Sequence, residues 1–332
     1  NSGCANAGTG EQGFRDCHEL TNILSQKLNL PSEKILLFST GPIMERLPIE
    51  KIKNKSELLI SCLGKSNWLD AASAIMTTDT VPKGYSKILF LQDKKVTITG
   101  IAKGSGMICP DMATMLAFLV TDINISAEDL KQLVDYVTEC FFNRISVDGD
   151  TSTNDSIIAA ANGLSGAIVN SKEKKYEKDW AVFKTAFFEI CEHLAKSIVL
   201  DGEGATKFIT IKTINAISDE ETKMVGESIA NSPLVKTAFF ASDPNLGRIL
   251  AAIGNSGVIG LKTKDLDLKI NGYTVFEKGE LPKKYNEEKA KQELLKQEII
   301  VEVFLNRGNV SGCFYTCDLS HEYISINAEY RT

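Results

Sequence analysis

Hydrophobic positions along this chain change their period several times, and each change marks an element. Phe14, Cys17, Leu20, Leu24 and Leu28 recur at steps of three and four, the stripe of an amphipathic helix that Pro31 ends. The apolar run over 34–38 reads as a compact buried strand that enters the sharp turn Ser39-Thr40-Gly41-Pro42. A helix is expected over 67–76, ahead of the hydroxyl-rich run Thr77-Thr78-Asp79-Thr80. Segments 87–91 and 95–99 flank Gln92-Asp93-Lys94 and read as a hairpin. The continuous apolar stretch over 115–120 reads as a strand buried on both faces, although periodicity alone leaves a buried helix open. Ser126, with Asp129 three residues on, is an aspartate variant of the capping box. It opens a helix whose stripe is Leu130, Leu133, Val134, Val137 and Phe141, and a second strong helix carries Trp180, Phe183, Phe187, Ile190, Leu194 and Ile198.

Beyond Lys207 the pattern reads as strand over 208–212, helix over 220–230, strand over 234–240 and helix over 245–253, the last introduced by Ser242-Asp243-Pro244. Such alternation predicts a second, smaller α/β unit. A charged helix over 283–297 follows as a solvated face, then a strand over 299–305 and the turn Asn306-Arg307-Gly308.

Bulk properties narrow the class. The chain has 332 residues, enough for a large core and two domains, with 43% hydrophobic and 24% charged residues, as in ordinary globular proteins. A net charge of -6 gives no electrostatic reason for a nucleic-acid or anionic-membrane partner, and no apolar stretch is long enough to span a bilayer. Eight scattered cysteines in a chain of this size point to a reducing compartment. Cys313, Cys317 and His321 have metal-like spacing but no second ligand cluster, so no metal is expected. The opening Asn1-Ser2-Gly3-Cys4-Ala5-Asn6-Ala7-Gly8 looks nothing like a secretory signal or transit peptide.

The stretch around which candidate chemistry gathers is Lys103-Gly104-Ser105-Gly106-Met107, followed by Ala113-Thr114 at the mouth of the buried strand. Glycines there permit positive φ and close backbone approach. On the residues alone this is a loop-to-strand junction with an ordinary threonine, Thr40-Gly41 is a plain turn, and Lys103 is a surface lysine. The oxygen-dense loop Asp148-Gly149-Asp150-Thr151-Ser152-Thr153-Asn154-Asp155 superficially suggests calcium, but lacks the glutamate that an EF-hand needs at its twelfth position. Glu203 lies between Gly202 and Gly204, which allow it to approach a ligand closely.

Taken together, these motifs resemble the ornithine acetyltransferase (glutamate N-acetyltransferase) family of arginine biosynthesis. The resemblance covers the whole chain and includes Ser232 to Ala238, Asp243 to Arg248 and the tail. It departs at Cys4 and Asp111, where asparagine is usual, and at Leu246, where tryptophan is usual. It implies an α/β fold of layered sheets with flanking helices, shared with self-processing aminopeptidases. A main catalytic unit over 1–206 is followed by a smaller α/β domain over 207–314 and a tail over 315–332 that returns to the active site. It implies self-cleavage between Ala113 and Thr114, with Thr114 as the freed nucleophile and Thr40 and Gly41 as the oxyanion hole. Thr77, Lys103, Thr114, Glu203, Asn327 and Thr332 are the implied substrate-binding residues, with Glu203 at the substrate's amino end. The implied reaction moves acetyl from N2-acetyl-L-ornithine to L-glutamate without a cofactor. Acetyl-CoA as a second donor and a self-processing aminopeptidase or amidohydrolase activity are the alternatives. The two self-cut chains are expected to assemble two of each. The compartment is expected to be cytoplasmic, or mitochondrial or plastid in a eukaryote. A sizeable segment ahead of Asn1 is also implied, so the sequence is expected to be part of a longer protein.

Overall fold

A computed structural model describes residues 1–65, 67–109 and 115–329. The chain opens with helices α1 (Gly10–Leu28), α2 (Ile49–Ser61) and α3 (Trp68–Ala74). Strands β1 (Lys83–Leu91), β2 (Lys94–Lys103) and β3 (Leu116–Thr121) follow, then α4 (Ala127–Cys140), β4 (Ile145–Ser146), β5 (Ser156–Ala161) and α5 (Glu177–Leu200). The remainder runs β6 (Phe208–Ala216), α6 (Asp219–Ala230), α7 (Pro233–Phe240), α8 (Leu246–Gly254), β7 (Asp267–Ile270) and β8 (Tyr273–Phe276). It closes with α9 (Glu287–Leu294), β9 (Glu298–Phe304), β10 (Val310–Cys317) and α10 (His321–Glu329).

Two sheets organise these elements, in the order β1-β2-β3-β5 and β4-β10-β6-β9-β7-β8. The fold is thus α/β with layered sheets and flanking helices, as expected. The β1–β2 hairpin is antiparallel from Lys83↔Ala102 to Leu91↔Lys94. Both turn residues, Gln92 and Asp93, have positive φ, the backbone of a type I′ turn whose twist matches the strands. β2 pairs antiparallel with β3, and β3 pairs parallel with β5. Helix α5 packs against β1, β2 and β10, so it touches both sheets. Its buried face, Phe183, Phe187, Ile190, Leu194 and Ile198, is the stripe read from the sequence. These residues share one core with the first sheet and with Tyr315 and Cys317 of β10, while a second core lies among β6, β7, β9 and α6 to α9.

Several expectations are corrected. Residues 35–38 are not a strand: among the described residues they pair with no other segment, the nearest bridges being those of Thr40 to Ser2 and Cys4, and Leu36 is 60% exposed. An apolar run becomes a strand only where its N–H and C=O groups find a ladder; here Phe38 instead packs edge-on against Phe118, with ring centroids 5.1 Å apart. Residues 234–240 lie in helix α7, because Ser232 caps it by accepting from the Val235 N–H and Pro233 takes the first turn. The charged helix expected over 283–297 shrinks to α9, and the β7–β8 hairpin had no strong pattern to announce it. Phe14 is 69% exposed, so the α1 stripe is buried only in part. At α4, Ser126 does accept from the Asp129 N–H, but the Asp129 carboxylate takes the hydroxyl of Ser171 at 2.5 Å instead of completing a capping box.

Candidate active site

Six segments remote in sequence converge at one end of the first sheet. They are the Thr40-Gly41 turn, the run after α3, the loop leaving β2, the loop over 148–155 between β4 and β5, the turn after α5, and α10. Together they enclose a cavity of about 310 Å³. Thr40, Gly41, Thr77, Lys103, Glu203 and Asn327 all line it. Thr114, Ala113 and Thr332 lie outside the described residues; Met115, which follows Thr114 in sequence, lines the cavity.

The Thr40 turn is held by the first residues of the chain. Thr40 donates its N–H to the Asn1 carbonyl at 3.0 Å and accepts from the Cys4 N–H at 3.0 Å. Gly41 has φ +132°, and an added Cβ would sit 2.5 Å from the Cys4 nitrogen, so only glycine fits. With the Thr40 N–H already engaged, the donors this turn can offer are the Thr40 hydroxyl and the Gly41 N–H. Lys103 Nζ donates to Thr40 Oγ1 at 3.3 Å, which frees and polarises the hydroxyl hydrogen for an acceptor in the cavity. Asn154 Nδ2 braces the same turn, donating to the Ala5 carbonyl at 2.6 Å and to the Ser39 carbonyl at 3.1 Å.

Behind the cavity lies a charge cluster that the sequence did not single out. Lys83 Nζ donates to Asp79 Oδ1 at 2.6 Å and to Asp201 Oδ2 at 2.5 Å, all three side chains being buried. Asp79 also accepts from the Thr77 N–H at 3.0 Å and the Gly104 N–H at 2.7 Å. Asp201 accepts from the N–H and hydroxyl of Thr80, and its carbonyl accepts from Ser105 Oγ at 2.5 Å. One lysine thereby ties together the loops that carry Thr77, Lys103 and Glu203. Burial pushes the Asp79 carboxyl up, but Lys83, Lys103 and the Gly104 N–H outweigh it and hold it below the usual value.

Glu203 donates its N–H to the Ser105 carbonyl at 2.9 Å and accepts from Asn327 Nδ2 at 2.7 Å. Gly106 makes this approach possible, since a Cβ there would fall 2.3 Å from Glu203 Cδ. Helix α10, which carries Asn327, is fastened through Ser320 Oγ to the Gly204 carbonyl at 2.6 Å. Asp148 accepts from the N–H groups of Met107 at 2.6 Å and Ile108 at 2.9 Å, and from the Tyr323 hydroxyl at 3.3 Å. The loop over 148–155 therefore shapes the glycine turn directly.

Electrostatically the lining is lopsided. Lys103 stands among the lining carboxyls Asp148, Asp150, Asp155 and Glu203. Burial lowers the Lys103 pKa, Asp79 resists this, Lys83 lowers it further, and Asp155 and Glu203 resist. Burial pushes the Asp155 carboxyl up to about 8 even though Lys103 and the Met115 N–H favour its charged form. Its Oδ2 is buried without a partner among the described residues. A cavity with a polarised hydroxyl donor, one buried ammonium and several carboxyls suits an amino-acid ligand and the stabilisation of a developing oxyanion. In the sequence Asp155 stands out only as the last residue of the oxygen-dense loop over 148–155, and nothing there flags Lys83.

The chain is similar to proteins already known. A curated arginine biosynthesis bifunctional protein ArgJ from Colwellia psychrerythraea is 48% identical over 339 residues, covering 100% of this chain and 79% of the relative. The crystal structure of arginine biosynthesis bifunctional protein ArgJ from Bacillus halodurans matches with a TM-score of 0.60 and 39% identity, over 64% of this chain and 98% of that one. The model of the ArgJ family matches residues 1–332, and the chain belongs to that family.

Proposed function

We propose that this enzyme transfers acetyl from N2-acetyl-L-ornithine to L-glutamate, releasing L-ornithine and N-acetyl-L-glutamate through an acetyl ester on Thr114. The observation that carries the reading is the single cavity lined by Thr40, Gly41, Thr77, Lys103, Glu203 and Asn327, beside Met115. In the proposed scheme Thr114 Oγ adds to the Ala113 carbonyl, the acyl group shifts from nitrogen to oxygen, and water hydrolyses the ester. Two chains result, 1–113 and 114–332, and Thr114 gains a free α-amine. That amine, with a reference pKa of about 8, then takes the hydroxyl proton, so no histidine is required. Thr114 Oγ attacks the acetyl carbonyl of the donor, the Thr40 hydroxyl and Gly41 N–H stabilise the oxyanion, and ornithine leaves with the proton. Glutamate attacks the ester in the reverse sense. Lys103, Thr77, Glu203, Asn327 and Thr332 hold the amino-acid ends, the ammonium of Lys103 facing a carboxylate.

The reaction needs no cofactor. Acetyl-CoA is the second donor to test. We further propose two copies of each self-cut chain in the assembly and a cytoplasmic location; no described helix is long and apolar enough to cross a membrane. Intact mass under denaturing conditions, followed by an acetyl-exchange assay, tests the scheme. The wild type is expected as two chains breaking between Ala113 and Thr114, and Thr114→Ala as one uncut chain without transfer. Two chains from Thr114→Ala would refute it.

A further inference from the structure

The proposed exchange sets the cavity a problem that its polar groups can be asked to solve. At about 310 Å³ it has room for one amino-acid substrate, so donor and acceptor occupy it in turn. The two share an α-carboxylate but end differently: ornithine in an ammonium, glutamate in a second carboxylate. A wall of fixed charge would favour one and repel the other. A discriminating group must therefore be able to change its charge, and it must have a hydrogen-bonding site to spare.

The rest of the charged lining already has a partner, and Lys103 and Glu203 are assigned above to the amino-acid end that both substrates share. Asp148 is held by two backbone N–H groups and the Tyr323 hydroxyl. Glu203 is held by Asn327, and Lys103 donates to Thr40. Asp155 differs, because Oδ2 is buried, lies in the cavity wall and has no partner among the described residues. Its loop is fixed in place: the Ser156 N–H donates to the Met115 carbonyl at 2.8 Å, and the neighbouring Asn154 is tied to Ala5 and Ser39. An orphaned buried carboxyl oxygen beside a single lysine has one acceptor to offer when ionised and one donor to offer when protonated.

We infer that Asp155 is a specificity-determining residue that reads the far end of each substrate, ionised against the δ-ammonium of ornithine and protonated against the γ-carboxylate of glutamate. The inference rests on the acetyl-transfer reading above. Its chemistry balances without another reactant: Asp155 takes one proton from solvent as glutamate replaces ornithine, and returns it when ornithine re-enters. Burial places the carboxyl's midpoint at about 8, so neither state is remote near neutrality.

Two isotope exchanges separate the halves of the reaction: labelled ornithine into N-acetylornithine, and labelled glutamate into N-acetylglutamate. In the wild-type enzyme KM for ornithine should fall as pH rises through about 8, while KM for glutamate rises over the same interval. Asp155→Asn, neutral at every pH, should flatten both profiles. It should raise KM for ornithine roughly tenfold or more, as expected for losing a charge-assisted hydrogen bond, with a much smaller change for glutamate. Parallel profiles in the wild type, or an equal rise in both KM values in Asp155→Asn, would overturn the assignment. If Asp155→Asn does not fold, the wild-type profiles decide alone. Loss of both exchanges in the self-cut wild type would instead remove the acetyl-transfer reading itself, an outcome distinct from parallel slopes.

Discussion

Replacing Lys83 with methionine is the most informative perturbation of the scaffold. The Lys83 side chain is 1% exposed and contacts Asp79 and Asp201 at 2.6 and 2.5 Å. Methionine has similar volume, so little cavity cost is added, and the effect isolates charge. Two carboxylates would then face each other in a buried space without their cation. Removing one partner of a buried ion pair costs about 3–5 kcal/mol, most of it the penalty of the uncompensated charge left behind. Part would be relieved by protonation, because Asp79 would lose the neighbour that offsets burial most strongly. The pH dependence has a definite sign. In the wild type the Asp79 pKa is below its ordinary value of 3.8, so its contribution is present above that value and is lost as pH falls through the depressed pKa. In Lys83→Met that loss should move to higher pH. Urea unfolding, read at the first transition and at two pH values, measures both effects. KM should rise as well, since Asp79 holds the N–H groups of Thr77 and Gly104. Adding Asp201→Asn should recover part of the stability by removing one of the stranded charges. A loss under about 1 kcal/mol with unchanged KM would refute the claim that this cluster sets the cavity, because a dispensable ion pair costs no more than that.

Three further outcomes follow from the geometry. Thr40→Val removes the hydroxyl polarised by Lys103 and keeps the shape of the side chain; kcat should fall about 10²–10³-fold with little change in KM, and single-turnover acetylation of the enzyme measures it. Gly106→Ala puts a methyl 2.3 Å from Glu203 Cδ and so must displace that carboxylate; substrate KM should rise while stability, followed by thermal unfolding, changes modestly. Asp155 has a folded pKa raised from 3.8 to about 8, so the stability it contributes is present below 3.8 and fades as pH rises through about 8. Asp155→Asn should therefore unfold with a flatter pH dependence over that interval than the wild type, and urea midpoints across it provide the check.

What could be read from the sequence, and what could not, separates along one physical line. Elements whose cause is local were legible: the α5 stripe, the hairpin and the capped start of α4 follow from side chains a few residues apart. The same local logic fails at 234–240, because seven mostly apolar residues have no decisive period and the helix is announced only by the Ser232-Pro233 start signal ahead of them. The run at 34–38 failed for the opposite reason, since strand formation depends on a partner that the residues themselves do not name. The site residues were legible only as motifs. Thr40, Lys103 and Glu203 stand beside glycines because backbones and carboxyls approach closely there, and close approach leaves a mark in composition.

The scaffold behind them leaves no such mark. Lys83 meets Asp201 across 118 residues, and Asn327 meets Glu203 across 124. A buried lysine between two carboxyls looks in sequence like any other lysine at the start of a strand. Its burial becomes favourable only after folding has brought both acids to it. The same holds for Asp155, whose distinguishing feature is an interaction it lacks. A motif reading thus recovers groups that need a particular backbone conformation, and misses groups whose behaviour is set by desolvation and by partners assembled from afar. In this enzyme the second class fixes the position and charge of the first. Substitutions at Lys83 and Asp155 should therefore alter KM and pH dependence, although Lys83 belongs to no recognisable motif and Asp155 only closes the oxygen-dense loop.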